Sequence, residues 1–196
     1  MSKTLSKGSI TLITIGIVIL ILIGGTLTTY NGLVSKDEAA STAWSNLQAQ
    51  YQRRADLVPN LVNTVKGYAK HESETFENVV AARAKATQLS VDADNLTPER
   101  ARQILQAQGD LSTALGKLMA ISESYPELKA SENFSELQAQ LEGTENRIAE
   151  SRRLYNESVQ TFNTAVRRFP ANIVAGIFGF EKKSKFEAQE SAANSP

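Results

Sequence analysis

Three features of the sequence predict an all-α protein, an N-terminal transmembrane helix followed by an elongated antiparallel helical bundle of three to four helices. One apolar run lies near the N-terminus. Apolar residues then recur at three/four spacing through most of the remaining chain. No segment shows the period-two alternation that marks a half-buried strand.

The apolar run reads ITLITIGIVILILIGGTL from Ile10 to Leu27, and no charged residue falls between Lys7 and Lys36. At ~1.5 Å per residue this is a helix of roughly 27 Å, close to the hydrocarbon thickness of a bilayer. A cleaved secretory signal would have a shorter apolar core and an A-x-A-like site. Here the run continues through Leu20 and ends in Gly24-Gly25-Thr26. The reading is an uncleaved anchor over 10–29, including Thr29, preceded by a short flank at 1–9. Lys3 and Lys7 lie on one side of it, and Lys36, beside Asp37 and Glu38, on the other. The positive-inside rule then keeps the N-terminus in the cytoplasm and exports the body.

Charge excludes one class of partner. The chain carries 21 basic and 21 acidic residues, and setting aside Lys3 and Lys7 leaves a body of about −2. A nucleic-acid binder needs a basic excess on one face, so none is expected as partner. With no cysteine, there is no disulfide, thiolate metal site or lipid-modified cysteine.

Past the span, Tyr30 to Val34 reads as a short connector, with Ser35 or Asp37 able to cap the next helix. From there to about Ser90, two heptad series predict a buried face: Trp44, Tyr51, Val58 and Val65, and Leu47, Arg54, Leu61 and Tyr68. Val79, Ala82, Ala86 and Leu89 continue the register. A helix of about 55 residues would be ~80 Å long. That exceeds its expected partner, so part of it must project, be covered by the C-terminal segment, or pair with another copy.

VDADNLTPER, residues 91–100, interrupts the pattern. Thr97 suits an N-cap and Pro98 the first helical position. The second helix should bury Ala101, Ile104, Gln108, Leu111, Leu115 and Leu118. Pro126 closes it off. A third series, Phe134, Leu141, Ile148, Tyr155, Phe162 and Phe169, keeps strict seven-residue spacing, with Leu137, Val159 and Val166 in the neighbouring seam, until Pro170. The domain is expected over 30–187, with a disordered tail at 188–196.

No catalytic constellation emerges. His71, the single histidine, lies in KHESE, which is not H-E-x-x-H because Thr75 holds the second histidine position. There is no nucleophile elbow and no phosphate-cradling glycine loop. The protein reads as a non-enzyme with no cofactor and no metal. Its unusual feature is charge on or beside the seam: Arg54 and Glu72 within it, and Arg83, Glu145 and Arg152 one step off. Buried charge is costly unless paired. Arg54 and Glu72 would lie roughly 27 Å apart on one helix, so each needs a partner from another helix. Cross-helix pairs that fix register are one reading, and a polar cleft for a ligand or partner is the other. QRRADLVPNLV, residues 52–62, adds Pro59 inside a helix. The register runs straight across it, so a bend within one helix is expected, with the Ala55 carbonyl freed of its usual partner. Asp56 could alternatively act as a local N-cap.

These residues carry a family pattern. YNGLV after the span, W-S-x-L, then RRADLVPNLVNTVKGYAKHE and AAR resemble the LemA family. So do YPELKASENFSELQAQLEGTENRIAESRRLYNESVQTFN, the later FP and the terminal FGF. The resemblance spans roughly 30–187, and its main motif falls on Arg53, Arg54, Asp56, Leu57, Pro59, Asn60, Leu61, Gly67, Tyr68, His71 and Glu72. It implies a bacterial inner-membrane protein with one transmembrane helix and a helical-bundle domain, without a settled activity. It suggests an envelope role near membrane metalloproteases. The usual family description puts the short N-terminus outside the cell, opposite to the lysine count. Some members carry a lipobox cysteine before the YN motif, where this chain has Thr29. The expected function is a non-enzymatic scaffold or adaptor that binds an envelope protein, with a membrane metalloprotease as one candidate, or self-associates. The alternative is a ligand-sensing domain with a polar inter-helix cleft, but the nine residues before the span are too few for a signalling domain.

Overall fold

The computed structural model describes residues 7–89 and 92–186, which form helices, turns and one extended segment, with no strand among them. The expected tail at 188–196 and the start of the N-terminal flank lie outside these residues. Six α-helices follow in order: α1 Lys7–Tyr68, α2 Ser73–Gln88, α3 Pro98–Ala120, α4 Pro126–Lys129, α5 Glu132–Arg167 and α6 Ala171–Phe178.

Two expectations about α1 are corrected. Tyr30 to Val34 is not a connector, because α1 is one helix of 62 residues from the apolar run into the body. Neither Ser35 nor Asp37 therefore caps anything. Continuity satisfies each backbone group where the apolar run gives way to the body. Gly32 costs about 1 kcal/mol against alanine, and full burial of the adjacent Leu33, worth ~1.5–3 kcal/mol, offsets it. The second correction is at the far end. The helix does not run on to Ser90 but stops at Tyr68, and a turn through Ala69 and Glu72 reverses the chain into α2. Tyr68, expected in the seam, is exposed, whereas Ala69 is fully buried and anchors the turn. The heptad phase survived the turn because α2 buries Phe76, Val79 and Ala86, again at helical spacing.

The four long helices alternate in direction. Along α1 and α5, Trp44 packs on Tyr155 with ring centroids 5.5 Å apart, Arg54 meets Glu145, and Thr64 accepts from Asn133. Such pairings make the two helices antiparallel. Arg83 of α2 reaches back to Ala55, and Lys85 of α2 pairs with Asp110 of α3. The body section of α1 is thus matched by the 36 residues of α5, and the C-terminal segment covers its membrane-proximal part. Among the described residues only the apolar run of α1, up to about Leu27, extends beyond the body.

Three apolar clusters stack along this frame. The outermost gathers Val58, Leu61 and Val65 with Leu111, Leu115, Phe134 and Leu141. A middle cluster holds Trp44, Leu47 and Tyr51 with Ile104, Ile148, Tyr155 and Phe186. The third, where α1 enters the body, joins Leu33 to Val174 and Ala175 of α6. All six positions expected to be buried on α3 are buried, as is the α5 series from Phe134 to Phe162. Thr97 caps α3, accepting from Arg100 N at 3.2 Å. Phe169 departs from the α5 series: helix α5 has ended before it, and it is 80% exposed. Gly179, at φ 75°, closes α6 in the left-handed region, and Phe180 N donates to Ala175 O at 3.0 Å.

Candidate functional site

Between the outer and middle clusters lies a polar layer built on Arg54, which is 2% exposed. Its Nη1 donates to Ser112 Oγ at 2.6 Å and to Glu145 Oε1 at 2.7 Å. Its Nη2 donates to the Gln108 backbone carbonyl at 3.0 Å and to Gln108 Oε1. Gln108 Nε2 in turn donates to Ala86 O on α2 at 3.3 Å. One guanidinium therefore ties α1 to α3 and α5, and Gln108 extends the tie to α2. Glu145 is 39% exposed, so one end of the pair stays hydrated while the cation is sequestered. That arrangement limits the desolvation penalty of a fully buried pair.

Tyr51 and Arg152 border the same layer. Burial raises the Tyr51 hydroxyl above its ordinary pKa, and the nearby positive charges of Arg152 and Arg54 work against it. The Arg54 guanidinium also lies 5.9 Å from the Tyr51 ring centroid. A crevice of about 60 Å³ opens beside the layer, lined by Trp44, Tyr51, Ala86, Ile104 and Gln108 among others. That space holds about two waters and is far below the ~300 Å³ of a small-molecule site.

Arg83 has a different task. Its Nε donates to the Ala55 carbonyl at 2.7 Å. Ala55 stands four residues before Pro59, so its carbonyl lacks the N–H that a continuous helix would supply. Helix α1 runs unbroken across Pro59, and α2 supplies the missing donor. Asp56 is no N-cap here; it accepts from Gln52 on the outer surface at 2.7 Å. The segment is thereby divided by face. Arg54, Ala55, Leu57, Val58 and Leu61 point inward, while Arg53, Asp56, Pro59 and Asn60 are exposed. The two remaining sequence candidates lie apart from the layer: His71 is exposed in the α1–α2 turn, and half-buried Glu72 accepts from Tyr125 Oη at 3.4 Å. Glu72 precedes α2 rather than continuing the α1 seam.

A second polar junction, not foreseen from the sequence, sits near the membrane end. The Lys183 ammonium, its side chain 9% exposed, pairs with Asp37 at 2.8 Å and Asp94 at 2.7 Å. Burial disfavours the Lys183 ammonium, but hydrogen bonds to both carboxylates outweigh it and hold its pKa above the ordinary value. Asn163 brackets the Lys183 backbone with bonds of 2.8 and 2.9 Å, and Asn156 brackets Phe186 in the same way at 2.9 Å. Tyr155 donates to Ser184 O at 2.9 Å, and burial pushes its pKa up to about 12. Two asparagines seven residues apart on α5 thus clamp residues 183–186 against it as a strap. The only sequence signal was that spacing. Asp37, Tyr30 and Phe178 to Lys183 also border an open cleft of about 540 Å³.

The LemA family profile matches residues 43–196. The chain belongs to the LemA family. It is 28% identical over 184 residues to magnetosome protein MamQ of Magnetospirillum gryphiswaldense, covering 85% of this chain and 67% of that protein. Magnetosome protein MamQ 2 of Paramagnetospirillum magneticum is 27% identical over the same coverage. Protein LemA of Metamycoplasma hominis is 26% identical over 179 residues, covering 91% of this chain and 76% of that protein. Family membership agrees with a membrane location, since α1 is long and apolar enough to cross a bilayer.

Proposed function

We propose that this LemA-family protein is a non-enzymatic, membrane-anchored helical scaffold or adaptor of the bacterial cell envelope, with its body outside the cytoplasm. The supporting observation is that the two terminal nitrogens of Arg54, the most buried seam charge, are bonded internally. Four N–H groups of Arg54 are bonded to protein atoms, and the adjoining crevice of about 60 Å³ is too small for a metabolite. This favours register-fixing over ligand sensing for the seam. What the signature segment offers outward is Arg53, Pro59 and Asn60, whose side chains are exposed. That face is the candidate surface for an envelope protein, for which a membrane metalloprotease is the first partner to test, or for another copy.

The test is site-specific photo-crosslinking of the full chain in its native membrane. A cross-linker at Asn60 should give one discrete adduct that Arg53→Glu abolishes, while a cross-linker at exposed Leu154 should not. Absence of any Asn60 adduct, or equal adducts at both positions, would remove the outward face from the proposal. Protease accessibility in spheroplasts reads the side: the body should be cut without lysis.

A further inference from the structure

Helix α6 leaves its apolar side uncovered. Val174 and Ala175 are buried against Leu33, whereas Ile173, Ile177 and Phe178 are exposed, Ile177 at 71%, beside exposed Phe169. The α1–α5 pairings place this cluster. Each step back along α1 toward the anchor is matched by a step forward along α5, from Arg54–Glu145 to Trp44–Tyr155. Continued, that register brings Phe169 level with Tyr30. Tyr30 in turn packs on Phe178 and Phe180 with centroids 4.8 and 5.7 Å apart. Tyr30 lies three residues past the end of the apolar run at Leu27, a rise of ~4.5 Å, within the headgroup layer of a bilayer spanned by α1. Tyrosine is also the kind of residue that settles at this depth.

We propose that α6 and Phe169 form a membrane seat, a short element whose apolar side enters the interfacial layer of the same bilayer that α1 crosses. Its occupant is the lipid surface. Two observations favour lipid over a protein partner: the patch is continuous with the membrane anchor through Tyr30, and its rim is cationic. Arg167, Arg168 and Lys182 are exposed around it. Of the nearby acids, Asp37 is already paired with Lys183, leaving Glu38 and Glu181 as counter-charges. A basic rim around exposed apolar side chains suits anionic headgroups. The bundle is then held by two attachments rather than by a single free-swivelling helix. This inference rests on α1 being the anchor.

The absence of cysteine allows single-site spin labelling of the full chain. Ile177→Cys, Leu20→Cys and Leu154→Cys would be labelled separately in phosphatidylcholine vesicles with and without phosphatidylglycerol. Collisions with oxygen and with a water-soluble nickel chelate would be compared. Leu20→Cys reads the anchor, and Leu154→Cys reads solvent. The seat predicts an oxygen-to-nickel ratio at Ile177→Cys several-fold above that at Leu154→Cys. It also predicts a further rise with phosphatidylglycerol that Arg167→Gln/Arg168→Gln removes. A water-like Ile177→Cys beside a lipid-like Leu20→Cys overturns the seat and leaves the anchor standing. A water-like Leu20→Cys overturns the anchor. Shielding of Ile177→Cys from both reagents, with spin–spin broadening between copies, assigns the patch to a second copy and overturns the seat. An unchanged ratio with phosphatidylglycerol overturns the cationic rim.

Discussion

Arg54 and Lys183 are both sequestered cations paired with carboxylates from other elements, yet they do opposite work. Arg54 sits between two apolar clusters, and its planar fork engages side chains and a backbone carbonyl on α3 and α5. Losing it would strip a shared donor from Gln108 and Ser112 of α3 and from Glu145 of α5 at once. Lys183 is near the end of the described chain, and of its two carboxylates Asp94 is already 79% exposed and Asp37 one-third exposed, so less is stranded when the pair breaks. The first junction sets the register of the whole bundle, whereas the second fastens a strap. The lesson is that the consequence of a buried ion pair depends on what is stranded when it breaks.

The largest effect is expected at the first junction. Arg54→Ala should lower the unfolding free energy in urea by ~2–4 kcal/mol, because buried Gln108 loses two bonds while half-exposed Glu145 can rehydrate. Arg54→Lys should recover only part, because an ammonium cannot span the same fork. A loss near that of the exposed neighbour Arg53→Ala, within ~0.5 kcal/mol for an ordinary surface change, would break the comparison.

Arg83→Ala comes next, with an expected loss of ~1–3 kcal/mol from the stranded Ala55 carbonyl. The same change in a Pro59→Ala background should cost less, because residue 59 then supplies the N–H itself. A double-mutant cycle showing no coupling would separate Arg83 from the proline.

Lys183→Met should be smaller globally, about 1 kcal/mol, but should sharply increase proteolysis of the C-terminal strap. Equal cleavage with and without the substitution would make the clamp incidental.

The mildest perturbation is pH. Tyr51, Tyr155 and Lys183 all have folded pKa values raised above their ordinary ones. Each contribution is therefore fully present below the unfolded value, ~10 for tyrosine and lysine, and is lost as pH rises through the folded value. The melting temperature should not fall on account of these groups between neutrality and about pH 9, and should drop above ~10. Tyr155→Phe should flatten part of that drop. A drop unchanged in Tyr155→Phe would exclude Tyr155 from it.

Much of the first junction was legible in the sequence because heptad spacing assigns faces. Arg54 falls between Leu47 and Leu61, which already demands a partner from another helix, and Gln108 falls on the predicted buried face of α3. Pro59 likewise implies an orphaned Ala55 carbonyl. The donor, Arg83, was visible only as a charge beside the seam, since its role depends on where the chain turns. That turn was missed because no proline marks it and α2 resumes the α1 phase. Tyr30 to Val34 was misread because Asn-Gly signals a turn locally, and only burial of Leu33 shows why the helix persists. The Lys183 junction was illegible for a different reason. Its partners, Asp37 and Asp94, lie far away in sequence and on no shared period, and a cluster of charges reads as a solvated tail.

Amide hydrogen exchange on the full chain in membranes compares the two junctions most directly. If Arg54 governs bundle register and Lys183 only the strap, Arg54→Ala should accelerate exchange throughout the body of α1, α3 and α5. Lys183→Met should do so only over 179–186 and α6. Acceleration confined to the neighbourhood of residue 54, or spread over the whole bundle by Lys183→Met, would contradict that division.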